Sequence, residues 1–214
     1  METSAPRGRK YGTIVMLFGT LIAVAGVTYI VRNPPADASS EPGAATKLVI
    51  TENPDAAREA FLAAYTVFMH ARCVNCHPVG DAPLQGDQSV THSQNVQRGV
   101  DGRGKFALKC ANCHQDTNLP GKYMPPGAPG WHLPPENMKM VFQGKSAAEL
   151  CAQLKDPAQN GGKTIEQILE HVTHDALVLW GWNPGDGRSK PPMSHEEFVT
   201  KMKAWVENGA ACPE

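Results

Sequence analysis

Hydrophobic positions fall into one continuous block near the N-terminus and a set of short helical stripes further on. The block, residues 11–31 (YGTIVMLFGTLIAVAGVTYIV), is almost wholly apolar and has no polar face. At helical rise it is long enough to span a bilayer core. Arg7, Arg9 and Lys10 precede it and only Arg32 follows closely, so the positive-inside rule keeps residues 1–10 in the cytoplasm and exports the rest. Ala23-Val24-Ala25 and Ala36-Asp37-Ala38 have the form of a signal-peptidase site, which leaves a soluble periplasmic product as the alternative. The length of the run favours a retained single-pass anchor. Residues 32–46 are rich in Pro, Ala and Ser without apolar period, as in a flexible linker. A folded domain is expected over 47–214.

The stripes predict its helices. Asn53-Pro54 supplies a capping side chain and a proline at the first helical position. Phe61, Leu62, Tyr65, Phe68 and Met69 then recur on one face, with His70 at the end. A short helix is expected around Phe106, Leu108 and Cys110. Ser146-x-x-Glu149, Thr164-x-x-Gln167 and Ser194-x-x-Glu197 have the form of capping boxes. They open stripes through Leu150 and Leu154, through Ile165, Ile168, Leu169 and Val172, and through Phe198, Met202, Trp205 and Val206. His195, in the first turn of the last, is expected in solvent. Gly (20) and Pro (18) fill the intervening segments, so the fold class is mainly α with long Pro/Gly-rich loops. A net charge of −1 offers no basic stripe for nucleic acid.

One short pattern occurs twice, 37 residues apart: Cys73-Val74-Asn75-Cys76-His77 and Cys110-Ala111-Asn112-Cys113-His114. C-x-x-C-H is the attachment site of a c-type haem. Two thiols on one turn add to the two vinyl groups of one porphyrin, and the next residue faces the iron from the same side. His77 and His114 are thus the expected proximal ligands, and the cofactors two covalently attached haem c. Paired cysteines also bind zinc, but zinc does not require a histidine directly after each pair. Two porphyrins would also supply apolar filling in a chain with 7% aromatics. Haem attachment agrees with export, since it occurs outside the bacterial cytoplasm. The short separation puts both sites in one compact dihaem cytochrome c-like domain.

Several residues are candidates for the distal positions. His92 lies in the polar loop between the motifs. Met124-Pro125 has the form of a methionine ligand in a Pro-rich loop, and His132, beside Trp131, is its rival. His171 and His174 lie near the end of one stripe, with Asp175 as an acceptor for His174. His70 is a weaker candidate, and Met138 and Met140 read as core filler. Methionine in place of histidine would raise the iron potential. Arg98 and Arg103 are candidate donors to haem propionates. Cys151 and Cys212 remain, and in an oxidising compartment a leftover pair is expected to form a disulfide.

Larger stretches resemble a known group. Cys73-x-Asn75-Cys76-His77-Pro78, Gln85-Gly86-Asp87, His92 with Asn95-Val96-x-Arg98-Gly99, Trp131-His132, Leu150-Cys151 with Leu154-Lys155-Asp156-Pro157, Trp180-Gly181-Trp182 and Cys212-Pro213 are similar to a family of exported dihaem c-type proteins. These often carry the label isoquinoline 1-oxidoreductase subunit. The resemblance spans about residues 60–213; Met124 and the N-terminal anchor are not carried over from it. It implies a redox partner, a molybdenum hydroxylase or another periplasmic dehydrogenase. No motif in the chain binds molybdopterin or a 2Fe-2S cluster, which needs four cysteines, so it is not itself the hydroxylase. Electron transfer is the leading expectation. A small dihaem peroxidase or a haem-based sensor, either with one open iron position, is the alternative.

Overall fold

The computed structural model describes residues 52–214. The predicted cytoplasmic segment 1–10, the membrane span 11–31 and the linker 32–46 lie outside the described residues. Among the described residues no helix is long and apolar enough to cross a membrane. The fold there is mainly helical: α1 (Pro54–Phe68), α2 (Ala71–Val74), α3 (Ala147–Lys155), α4 (Ile165–His174), α5 (Ala176–Trp180) and α6 (His195–Glu207). A two-residue hairpin, β1 (Leu84–Gln85) antiparallel to β2 (Val90–Thr91), lies between α2 and α3.

Local chemistry sets the helix ends. Asn53 accepts from the Ala56 N–H at the start of α1. Ser146, Thr164 and Ser194 each form a complete capping box with Glu149, Gln167 and Glu197. Each cap satisfies N–H groups that a helix leaves unpaired.

α1 packs along α6, with α3 and α4 completing the core. Phe61 and Trp205 are fully buried, their ring centroids 5.0 Å apart. Phe68 meets Phe142 and Phe198 edge-on. Burial of each such side chain contributes about 1.5–3 kcal/mol. A disulfide joins Cys151 in α3 to Cys212 in the C-terminal tail.

Three expectations are corrected. Leu62 is 46% exposed, because the α1 face turned to the core centres on Ala57, Phe61, Ala64 and Phe68. No α-helix carries Phe106 and Leu108; both are exposed, and only a single 3₁₀ turn, Cys110–Asn112, forms there. His195 is half-buried: its Nε2 donates to the Val172 carbonyl, and its ring meets Trp182 edge-on. That contact docks α6 on α4.

Candidate functional site: two C-x-x-C-H loops

The first loop follows α1 with almost no connector. His70 caps α2, accepting from the Arg72 N–H, so the chain turns sharply from α1 into the segment that carries Cys73, Cys76 and His77. His77 Nδ1 donates to the Met140 carbonyl at 2.6 Å, and its ring lies flat on Phe142 at a centroid distance of 3.9 Å. The second loop repeats this arrangement with different partners. His114 Nδ1 donates to the Pro126 carbonyl at 2.7 Å, and its ring lies flat on Trp131 at 4.5 Å. In both cases the proton is held on Nδ1, and among the described residues Nε2 has no hydrogen-bond partner. Burial pushes His77 down to about 4 and lowers His114 as well, so both rings are neutral at neutral pH. A neutral imidazole oriented by its other nitrogen is the form that ligates a metal.

The two cysteines of the first loop are held as thiols by burial. Burial pushes the Cys73 thiol up to about 12 and Cys76 up to about 11. Cys110 is buried, its thiol facing the Gly102 carbonyl at 3.8 Å, whereas Cys113 is exposed. Among the described residues no three His, Cys, Asp or Glu side chains converge into a metal cluster. A structural zinc site needs such a cluster. A haem iron needs only axial donors from the protein, because the porphyrin fills its equatorial positions.

Glycine backbone holds the loops in place. A Cβ on Gly102 (φ +76°) would lie 1.9 Å from the Leu133 carbonyl oxygen, so only glycine lets the second loop meet the Pro-rich segment there. Gly127 is equally confined, against the carbonyls of Gln115 and Thr117, which fixes the adjoining Pro126 carbonyl under His114.

A cavity of about 580 Å³ opens beside the first loop. Cys73, Cys76 and His77 line it together with Phe142, Val172 and His171. Its size and mostly apolar wall suit a cofactor. Arg72, 1% exposed in its side chain, also borders it. Arg72 pairs with Asp87 through Nη2 and lies 5.8 Å from the centre of the Trp180 ring, while its buried Nε has no partner. Trp180 in turn meets Trp131 edge-on at 4.8 Å, so an unbroken line of contacts runs from Arg72 to His114.

The candidate residues separate clearly. His92 comes within 6.2 Å of His114, centroid to centroid. His132 shares the cavity with His77, its Nδ1 donating to the Gly130 carbonyl. His171 lines the same cavity, with Nδ1 3.4 Å from Asp175. The Asp175 partner foreseen for His174 thus belongs to His171, and the hydrogen bond from His171 is the main cause holding Asp175 down at about 2. His174 is turned outward beside Glu170, because residue 171 and not 174 continues the α4 face of Ile168 and Val172. Met124 is 42% exposed, and its carbonyl is what is engaged, accepting from Arg188.

Arg98 is fully buried. It donates to the Pro134 and Gly80 carbonyls and lies near Asp81, while its Nε lacks a hydrogen bond. It therefore clamps two loops, beyond any role toward a ligand. Arg98→Met is expected to lower stability by about 2–3 kcal/mol, since two buried carbonyls lose their donor; urea unfolding measures it. Arg103 is exposed, and its backbone N–H, not its guanidinium, is engaged, by Asp101. Arg72 is the cation that sequence reasoning passed over. The signal was its place directly before Cys73, matched by Lys109 before Cys110.

The residues around the first loop are compatible with a covalently held porphyrin, and the second loop repeats the histidine geometry. Both loops present a neutral histidine with Nε2 free beside a cysteine pair, one loop faces a cavity, and Arg72 Nε is an unpaired buried donor for an anionic edge. Comparison of the chain with protein-family models, with curated proteins and with solved structures finds no match.

Proposed function

We propose that this protein is an exported electron-transfer protein that carries two covalently attached haem c groups, held by Cys73, Cys76 and His77 and by Cys110, Cys113 and His114. The observation that carries the reading is the duplicated histidine arrangement. Two motif histidines 37 residues apart are each locked by Nδ1 on a backbone carbonyl and by a flat aromatic contact. Packing alone gives no reason for the same tautomer at both motifs; iron ligation does.

When bound, the haem supplies the one-electron chemistry. The chain's own residues orient the His77 and His114 imidazoles, and Arg72 would offer a cation to a carboxylate. Phe142 and Trp131 prevent rotation of the two imidazoles. Arg72 and Arg98 each bring a buried positive charge near the first loop, and buried charge of that sign favours an electron-rich neighbour. The line from Arg72 through Trp180 and Trp131 to His114 joins the two sites within one packed unit. The donor or acceptor is a redox protein, for which a molybdenum hydroxylase or another periplasmic dehydrogenase is the proposed class. The apolar run 11–31 anchors the chain in the cytoplasmic membrane with the haem domain in the periplasm.

The test is the mature protein produced in a host with haem-attachment machinery. Two haem masses on the polypeptide are expected, with low-spin spectra that respond to reductant and stay unchanged under carbon monoxide or peroxide. A polypeptide without added mass rejects the cofactor. Rapid peroxide turnover rejects pure electron transfer.

A further inference from the structure

Resting on the dihaem reading, we infer that His92 and His114 are the two axial ligands of one iron, that of the haem fastened to Cys110 and Cys113. Their ring centroids are 6.2 Å apart and their planes are inclined by 62°. Two imidazoles on opposite sides of one metal atom, with bonds of about 2.0 Å and each ligating nitrogen about 1.1 Å from its ring centre, have centroids about 6.2 Å apart. The observed separation is that of a filled axial pair.

Hydrogen bonding leaves the correct atoms free. His92 Nδ1 donates to the Ser93 carbonyl at 2.7 Å, as His114 Nδ1 does to Pro126. Each ring therefore keeps Nε2 as its ligating atom, and among the described residues neither Nε2 has another partner.

The backbone delivers His92 to this place. Its N–H donates to the Pro83 carbonyl, at the open end of the β1–β2 hairpin. The hairpin is rooted in the first motif: the Leu84 N–H donates to the Asn75 carbonyl, and Asn75 Nδ2 donates to the Gly86 carbonyl. Two residues after His92, Gln94 (φ 62°) adopts the left-handed region without being glycine. Strain of that kind persists where the surroundings dictate the conformation, and it gathers at ligand sites.

Two variants test the pair. His92→Ala is expected to retain both haems by mass, to convert one iron from low to high spin, and to bind one more carbon monoxide per chain than the wild type. His92→Met, which keeps a donor atom, is expected to remain low-spin and to raise the potential of one haem. Two attached haems with spin state, carbon monoxide uptake and potentials unchanged in both variants overturn the pair and leave the dihaem reading standing. A wild-type protein without covalent haem overturns both.

Discussion

Replacing Cys73 and Cys76 together by serine is expected to leave a protein with one covalent haem, half the wild-type haem absorbance per chain, and a surviving spectrum of the bis-histidine type. Serine hydroxyls do not add to vinyl groups under these conditions, so the thioether links at the first loop are lost entirely. The second loop keeps all its supports. His114 retains the Pro126 carbonyl and Trp131, and the hairpin that brings His92 hangs from Asn75, which is not altered. The first site changes most. Its cavity of about 580 Å³ is walled by Phe142, Val172 and other apolar side chains, and it would fill with water. A group bound there stabilises only the folded state, so its loss also lowers the melting temperature. The mirror variant, with Cys110 and Cys113 as serine, is expected to retain the other haem and lose the signal of the His92–His114 pair. Mass spectrometry and electron paramagnetic resonance of the two proteins decide the matter. Two haems on either variant would refute the assignment of the cysteines.

Cys151→Ala is expected to destabilise the domain by about 4 kcal/mol, the chain-entropy value for a loop of this length. The bond to Cys212 closes a loop with a sequence separation of 61. For a domain of this size the melting temperature should fall by roughly 8–16 °C. The tail would not detach altogether. Trp205 Nε1 donates to the Ala211 carbonyl, Lys155 Nζ to Ala210 and Arg58 Nε to Cys212. Those hydrogen bonds hold the folded form, whereas the disulfide acts chiefly by restricting the unfolded chain. Wild-type protein treated with reductant should melt with the variant. A loss under about 1 kcal/mol would show that the mature protein lacks the bond.

How far the chain could be read in advance depended on how local the determining interaction is. Asn53, Ser146, Thr164 and Ser194 bind N–H groups three residues away, so their helix starts are written in adjoining letters. The cysteine–histidine motifs are legible because covalent chemistry fixes their spacing. The acceptors for His77 and His114 are backbone carbonyls, 63 residues distant in one case, and no residue type encodes a carbonyl. Arg98 and Arg103 looked equivalent in the sequence; loop closure buried one and exposed the other. The choice between His171 and His174 turned on a few tens of degrees around α4, finer than a stripe of apolar residues specifies. The segment before Cys110 misled because Phe106 and Leu108 face outward and leave no stripe for a core.

The rooting of the hairpin in Asn75 gives maturation a direction. The earlier cysteine pair leaves the ribosome first, and the turn through Gly86 must close before residue 92 can reach its opposite number. A late-emerging cysteine pair thus meets a half-built socket. Errors in shaping the earlier loop would propagate to the later one.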